Sequence, residues 1–253
     1  MKKSGLYGLV SMALFCLTSC LGEGGDGITL AAQAAVVDVE KVQLLHLKGG
    51  DKVSSETFQK ETYDVGECFL VDFSIDYTLA ENSETGLKEQ GYYTATISQK
   101  IPVEKWPVAN MLTDTSTILE NERSLSTINQ RSAYVKGSFF IFPELNGQLD
   151  GVKYTFDMSY DPAMPTLQME EDQKAYVLYL RTQATDEEAT GSASLLIPNA
   201  FELKQFVDKI KSKTESGQTE AYVIVRYAKS VDETSGKIAW GTSKPFILPL
   251  DGK

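Results

Sequence analysis

Histidine is almost absent from this sequence, with one residue, His46, among 253. A single histidine excludes metal sites built from two or three histidines, and it leaves a serine or cysteine triad only one candidate base. The sequence also has no G-x-S-x-G elbow, P-loop, H-E-x-x-H or dinucleotide-binding fingerprint. We therefore predict no catalytic residue, no metal and no cofactor, and we expect His46 to be a partly buried or edge-strand imidazole.

Cysteine is scarce as well, with three residues in the chain. Cys16 and Cys20 lie within or directly after the apolar N-terminal run, so that Cys68 alone remains in the body of the protein. No intramolecular disulfide can form there. Cys68 stands at the start of an alternating apolar segment, which predicts a buried and inert thiol.

Positive charge is in deficit, because 24 lysines and arginines face 35 acidic residues, for a net charge of −11 at pH 7. The basic footprint of a nucleic-acid-binding protein is absent. The same balance argues against docking on anionic lipid head groups. Long apolar runs are lacking too: the segment Leu6 to Leu17 is too short for a permanent transmembrane helix.

Residues 1–19 instead have the form of a lipoprotein signal peptide. Lys2 and Lys3 supply a positive start, and an apolar core follows. The core ends in Leu17-Thr18-Ser19-Cys20, which resembles the lipobox of bacterial lipoproteins. This resemblance implies that the Cys20 thiol carries diacylglycerol, that Cys20 becomes the first mature residue, and that its acyl chains hold the protein to a membrane.

Residues 20–35 are predicted to be the lipidated cysteine and a flexible tether. The segment from Leu21 to Gly27 has neither apolar periodicity nor side chains able to pack. Glu23 and Asp26 resemble the acidic surface-export signals of Bacteroidota lipoproteins. That resemblance implies a lipid-anchored outer-membrane protein facing the cell exterior, with a periplasm-facing protein as the alternative.

The body of the chain alternates apolar and polar residues with period two, which predicts a mainly β protein. One face of the clearest strand is apolar and consists of Phe69, Val71, Phe73, Ile75 and Tyr77. A turn-forming cluster from Pro143 to Gln148 suggests a boundary between two β-rich domains, residues 36–143 and 149–251. The polar stretch from Asp114 to Ser132 is expected to be a long loop or a crossover carrying a short helix.

One amphipathic helix is predicted near residues 200–213, packed on a sheet of the C-terminal domain. Its apolar residues recur at i, i+3, i+4 and i+7, namely Leu203, Phe206, Val207 and Ile210. Asn199 and Glu202 are spaced as an N-cap and its reciprocal partner.

The late segments KAYVLYLRTQATDEEATG and TEAYVIVRYAKS, together with the lipobox, acidic tether and chain length, resemble the NigD-like lipoproteins of Bacteroidota. This resemblance implies an N-terminal OB-like barrel, where the pattern alone also allows a small sandwich, and a C-terminal β-sandwich. Cys20 is the only functional residue that it carries over.

The favoured function is that of a membrane-anchored, non-enzymatic binding or accessory protein of the cell envelope, with an envelope protein or a glycan as candidate partner. Aromatic side chains that could stack on a sugar are Trp106, Trp240, Tyr92 and Tyr93. The alternatives are a structural subunit of a surface assembly and a glycan hydrolase that uses two carboxylates. For the hydrolase, Asp72 with Asp76 and Asp157 with Asp161 are candidate pairs, although residues four apart in a strand are separated by about 13 Å.

Overall fold

The computed structural model describes residues 26–148, 152–169, 173–185, 193–214 and 217–250. Five strands of its first part close into a barrel with the order β1-β2-β3-β5-β4. They are β1 (Gly27–Val39), β2 (Gln43–Leu47), β3 (Lys52–Ser54), β4 (Cys68–Asp76) and β5 (Tyr93–Val103). The pairing is antiparallel except between β3 and β5. This closed five-stranded barrel confirms the predicted OB-like N-terminal domain.

The barrel is filled by alternate residues of its strands. In β4 the predicted alternation is confirmed for Phe69, Val71, Phe73 and Ile75, whose side chains point into the barrel core. Tyr77, the fifth residue predicted on this face, lies beyond the end of β4 and is 46% exposed. Helix α1 (Glu56–Lys60) adds Phe58 to the same core, where it is completely buried. A 3-10 turn (Ala80–Asn82) and helix α2 (Glu84–Gln90) lie between β4 and β5.

The predicted tether, residues 20–35, is too long, because β1 already begins at Gly27 and pairs with β4 from there. A bulge interrupts this pairing around Ala32, whose backbone has a positive φ of 49°. The Ala32 N–H is satisfied by the Asp72 carboxylate at 2.7 Å. The alanine-rich, bulged segment has no regular apolar alternation, and the strand is therefore not visible in the sequence pattern.

The remaining strands form two packed sheets. The larger sheet has the order β16-β15-β12-β10-β7, with β11 also paired to β12 and β17 to β15. The smaller sheet has the order β13-β9-β14-β6, with β8 paired to β9. The strands are β6 (Lys105–Trp106), β7 (Val108–Ala109), β8 (Leu125–Val135), β9 (Ser138–Gln148), β10 (Tyr154–Ser159), β11 (Thr166–Gln168), β12 (Lys174–Ala184), β13 (Ala193–Leu196), β14 (Asn199–Glu202), β15 (Glu220–Asp232), β16 (Lys237–Thr242) and β17 (Phe246–Pro249). One core between these sheets makes this region the predicted β-sandwich.

The structure moves the domain boundary from the predicted turn cluster to about residue 104. Strands β6, β7 and β9 begin within the predicted first domain, residues 36–143, but pair with strands of the second half, residues 149–251. Strand β8 pairs with β9 and belongs to the same sheet. Pro143 lies inside β9 rather than in a turn. A proline removes one backbone donor but keeps its acceptor, and the Pro143 carbonyl accepts from Ile197 N at 3.0 Å.

The amphipathic helix is confirmed as α3 (Lys204–Lys213), with its apolar residues buried in the sandwich core. Its predicted start, near residue 200, is four residues too early, because Asn199 and Glu202 belong to strand β14. The residue that caps the helix is Leu203, which makes no side-chain cap hydrogen bond. Both residues pair with β9, and this strand pairing overrides the local capping pattern.

The loop between β7 and β8 packs against β12 of the larger sheet and is held there by a buried ion pair. Arg181 donates from Nε to Glu122 Oε1 at 2.7 Å and from a terminal nitrogen to Oε2 at 2.5 Å. It also donates to the carbonyls of Asp114 and Thr117. Within the predicted loop or crossover of residues 114–132, the first part is this loop and the second part is strand β8.

The outer face of the barrel packs on the smaller sheet of the sandwich. Their shared apolar cluster includes Val36 and Leu70 from the barrel and Phe140 and Phe142 from β9. The barrel and the sandwich are therefore joined by an apolar contact. Among the residues that the structure describes, no helix has the length and apolar character needed to cross a membrane.

Candidate functional site

Trp106, the first of the predicted stacking aromatics, is part of the sandwich core. Its ring contacts Phe156 edge-on, with centroids 6.2 Å apart. Its Nε1 donates to Asn199 Oδ1 at 2.8 Å, and Asn199 is 2% exposed. The indole is partly buried against the sandwich core and holds β6 against β14.

Replacing Trp106 with phenylalanine is expected to lower the free energy of unfolding by about 1–3 kcal/mol, because it leaves the buried Asn199 oxygen without its donor. Trp240→Phe is the matched control. Trp240 Nε1 donates at 3.0 Å to an exposed carbonyl, that of Thr115, which water can satisfy, and the expected loss is below about 1 kcal/mol. Denaturant unfolding followed by circular dichroism measures both, and equal losses in the two variants contradict the assignment.

Trp240 lies on the outer face of the larger sheet. Its ring is edge-on to Tyr179 with centroids 5.7 Å apart, and the Arg181 guanidinium lies 6.0 Å from its centroid. On the neighbouring strand β12, Leu178 and Leu180 face the core, so Tyr179 and Arg181 lie on the outer face with Trp240. Trp240 thus covers the buried ion pair and the loop that this pair holds.

Tyr92 and Tyr93 lie on the barrel. Tyr93 packs edge-on against Tyr77 at 6.2 Å. Tyr92 lies beside Glu40 on the wall of an open cleft of about 240 Å³ between the β1–β2 turn and helix α2. The four predicted aromatics are consequently distributed over the barrel, the smaller sheet and the larger sheet and do not make one platform.

Three of the four acids considered for hydrolysis accept hydrogen bonds from backbone N–H groups. Asp72 accepts from the bulge at Ala32, Asp76 Oδ1 accepts from Thr78 N at 2.8 Å, and Asp161 Oδ1 accepts from Ala163 N at 2.8 Å. These carboxylates shape a bulge and two turns.

Cys68, at the start of β4, is 3% exposed and has no disulfide partner. Burial raises the pKa of its thiol, so the thiol stays protonated near neutral pH. The predicted buried thiol is confirmed. Cys16 and the predicted lipidation residue Cys20 lie outside the described residues.

A group of three candidate metal ligands lies at the rim of the barrel: Asp38 at the end of β1, Glu40 in the turn that follows, and His46 on β2. We call this group the rim cluster. His46 Nε2 lies 3.2 Å from Asp38 Oδ2 and 3.4 Å from Glu40 Oε1. One ligand atom from each residue lies within 4.8 Å of the other two.

Two lysines neutralise the acids of the rim cluster. Lys52 on β3 donates to Glu40 Oε1 at 2.5 Å, and Lys136 donates to Asp38 Oδ2. Lys136 comes from the sandwich, where it and Gly137 form a two-residue turn between β8 and β9 with φ of 44° and 86°. This turn geometry, with both φ values positive, projects Lys136 across the domain boundary onto the barrel.

The pKa values of all three residues of the rim cluster are lowered. Burial, reinforced by the positive charge of Lys136, lowers the pKa of His46 below its ordinary value. Burial acts to raise the pKa of Asp38, but the hydrogen bonds from Lys136 and from the Val39 N–H, together with the positive charge of Lys136, outweigh it and the pKa is lowered. The hydrogen bond from Lys52 lowers the pKa of Glu40. The acids are therefore ionised and His46 is neutral at pH 7.

The sequence analysis predicted no metal ligands and did not identify this group, because it considered His46 only as an imidazole in a strand. The sequence does contain a signal for this group. Asp38 and Glu40 are two residues apart, which places them on the same side of an extended chain, and the turn that follows brings the chain back toward His46. In the observed register His46 pairs with Val36, so Asp38 is its diagonal neighbour on the same face.

Comparison with known proteins identifies the barrel. Residues 25–101 match the family described as the lipoprotein OB domain. The comparison with curated proteins finds no match.

Three solved structures from Bacteroidota resemble the chain. An uncharacterised protein from Parabacteroides merdae has 25% identity and a TM-score of 0.77, over 86% of this chain and 98% of that one. A candidate lipoprotein from Bacteroides fragilis has 10% identity and a TM-score of 0.53, over 85% and 97%. A NigD-like immunity protein from Bacteroides caccae has 11% identity and a TM-score of 0.46, over 83% and 90%. The match of residues 25–101 to the lipoprotein OB domain confirms the expected resemblance to lipoproteins of Bacteroidota.

Proposed function

We propose that this protein is a lipid-anchored accessory or binding protein of the bacterial cell envelope, without enzymatic activity. The observation that carries the proposal is the lipoprotein OB domain of residues 25–101, which starts five residues after the lipobox cysteine Cys20. Acylation of Cys20 gives the protein its partner membrane through two or more buried acyl chains, enough for stable anchoring.

The short link between anchor and barrel sets where the protein acts. From Cys20 to Gly27, the first residue of β1, an extended chain spans at most about 25 Å. The barrel of the anchored protein is therefore held next to the bilayer surface. The acidic residues Glu23 and Asp26 in this link support an outer-membrane location facing the cell exterior.

Two observations support a binding role over hydrolysis. Asp72, Asp76 and Asp161, three of the four acids considered for hydrolysis, accept hydrogen bonds from nearby backbone N–H groups. The thiol of Cys68 is buried and protonated. An envelope protein or a glycan is the partner class that an extracellular barrel and sandwich with an acidic surface would meet.

Metabolic labelling with a palmitate analogue tests the anchor. The wild-type protein is expected to incorporate the label and Cys20→Ala to lose it, because the thioether and the new N-terminus both depend on Cys20. Cys16→Ala is the matched control within the same apolar run and should label like the wild type. Equal labelling of the wild type and Cys20→Ala would contradict the proposed lipid anchor.

The same labelled cells report the orientation of the protein. External protease should digest the labelled protein on intact cells if it faces the exterior. Digestion only after the outer membrane is permeabilised would overturn surface display and leave the periplasm-facing alternative.

A further inference from the structure

The three side chains of the rim cluster converge because of the barrel register. Asp38 and Glu40 follow Val36 on one face of the chain, and His46 pairs with Val36 across the β1–β2 ladder. All three therefore point to the outer side of the hairpin, at the edge of the contact with the sandwich. The β-ladder, rather than flexible loops, fixes the position of Asp38 and His46.

The Nε2 atom of His46 has no hydrogen-bond partner, and the ion pairs of the rim cluster do not account for it. His46 is 8% exposed, and its Nε2 is buried without a hydrogen bond. Both nearby carboxylate oxygens lie within 3.4 Å, but neither approach has hydrogen-bond geometry. A buried polar nitrogen without a partner is costly, and a ligand that occupies it removes that cost.

The spacing of the donor atoms matches the edge of a metal coordination shell. Zn²⁺ holds histidine nitrogen at about 2.0–2.1 Å and carboxylate oxygen at about 2.0–2.2 Å in a tetrahedron, so that neighbouring ligand atoms lie about 3.3–3.5 Å apart. The two distances from His46 Nε2 are 3.2 and 3.4 Å. One nitrogen and two carboxylates suit zinc and similar transition ions, whereas Ca²⁺ takes six to eight oxygens.

We propose that Asp38, Glu40 and His46 bind one divalent transition-metal ion of the zinc class, with water in the fourth position. Glu40 is 42% exposed, so the ion can reach this ligand from solvent.

Lys52 and Lys136 compete with the ion for the same carboxylates. Both side chains are partly exposed, 26% for Lys52 and 41% for Lys136, so each ammonium group can move into water when the ion binds. Metal binding then releases Asp38 from Lys136, the ion pair that joins the barrel to the β8–β9 turn. The site is consequently linked to the contact between the two domains.

Zinc titration of the full chain in detergent, with a fluorescent zinc chelator as competitor, tests the site. The wild type is expected to bind one Zn²⁺ per chain. His46→Ala and Glu40→Gln are each expected to weaken binding by at least about 100-fold, since loss of a direct ligand exceeds the 10–100-fold effect of changes behind the ligands. Glu220→Gln, an exposed acid on β15 of the sandwich, is the matched acid control and should bind like the wild type.

A thermal melt separates this result from a folding defect. Zinc should raise the melting temperature of the wild type by mass action and leave that of Glu40→Gln, a half-exposed position, unchanged. Absence of zinc binding by the wild type, or equal affinity in wild type and His46→Ala, overturns the proposal.

The lysines provide a test with the opposite sign. Lys52→Met and Lys136→Met should each bind zinc several-fold more tightly than the wild type, because a competing positive charge is gone. Lys48→Met, which removes an exposed lysine just after β2, is the control for net charge. Weaker zinc binding by both Lys52→Met and Lys136→Met would contradict the site.

Discussion

Replacing Arg181 with methionine is expected to lower the free energy of unfolding by about 3–5 kcal/mol, the usual cost of removing one partner of a buried ion pair. The side chains of Arg181 and Glu122 are 5% and 0% exposed, so water cannot replace the lost partner. Glu122 would keep only the hydrogen bond from Leu119 N, at 2.9 Å. Denaturant unfolding measures the loss.

A double variant distinguishes the buried charge from the packing of the arginine. In Arg181→Met with Glu122→Leu both charges are gone, and most of the lost stability should return because apolar groups of similar volume can replace a buried pair. The carbonyls of Asp114 and Thr117 still lose their donor, so recovery is expected to be incomplete. A single variant within about 1 kcal/mol of the wild type would refute the role given to the pair.

Truncating Phe58 to alanine should cost about 3–5 kcal/mol, because it leaves a cavity inside the barrel. Phe58 is completely buried, and its ring stacks on Tyr63 with centroids 5.1 Å apart. Hydrogen exchange measured by mass spectrometry localises the effect, and faster exchange is expected first in the barrel strands β1 to β5.

Phe58→Leu is the control for this truncation, since it keeps most of the volume and should cost less than about 1.5 kcal/mol. Ser55 should still cap helix α1 in both variants, because its Oγ accepts from the backbone N–H of residue 58. Equal losses for alanine and leucine would show that the aromatic ring, rather than filled volume, sets the stability of the barrel.

The sequence pattern predicted the elements whose burial is local and periodic. Phe73 on β4 and Phe206 on α3 are buried as their spacing indicates, because one side of a strand or helix meets a core. The sequence pattern gave a wrong prediction where the structure of a residue depends on a partner distant in sequence. Asn199 has the spacing of a helix cap, but it pairs with Ile141 of β9 and therefore belongs to a strand.

The same limit applied to the rim cluster and to the aromatics. Lys136 lies 98 residues from Asp38 in sequence, and only the packing of barrel on sandwich brings them together. Trp106 and Trp240 were grouped by their chemistry, but a residue type does not reveal which sheet or face it will occupy. The proximity of the three donors was more accessible to prediction, because Asp38, Glu40 and His46 belong to a single hairpin.

Strand order has a consequence for the order in which the two regions fold. All barrel pairings lie within residues 27–103, so the barrel can close as soon as that segment is available. Strand β6 follows directly in the chain, but the parallel partner of its Lys105 is Ala200 on β14. The sandwich therefore completes late, after a long loop closure. A closed barrel beside an incomplete sheet is thus the intermediate that the strand order predicts.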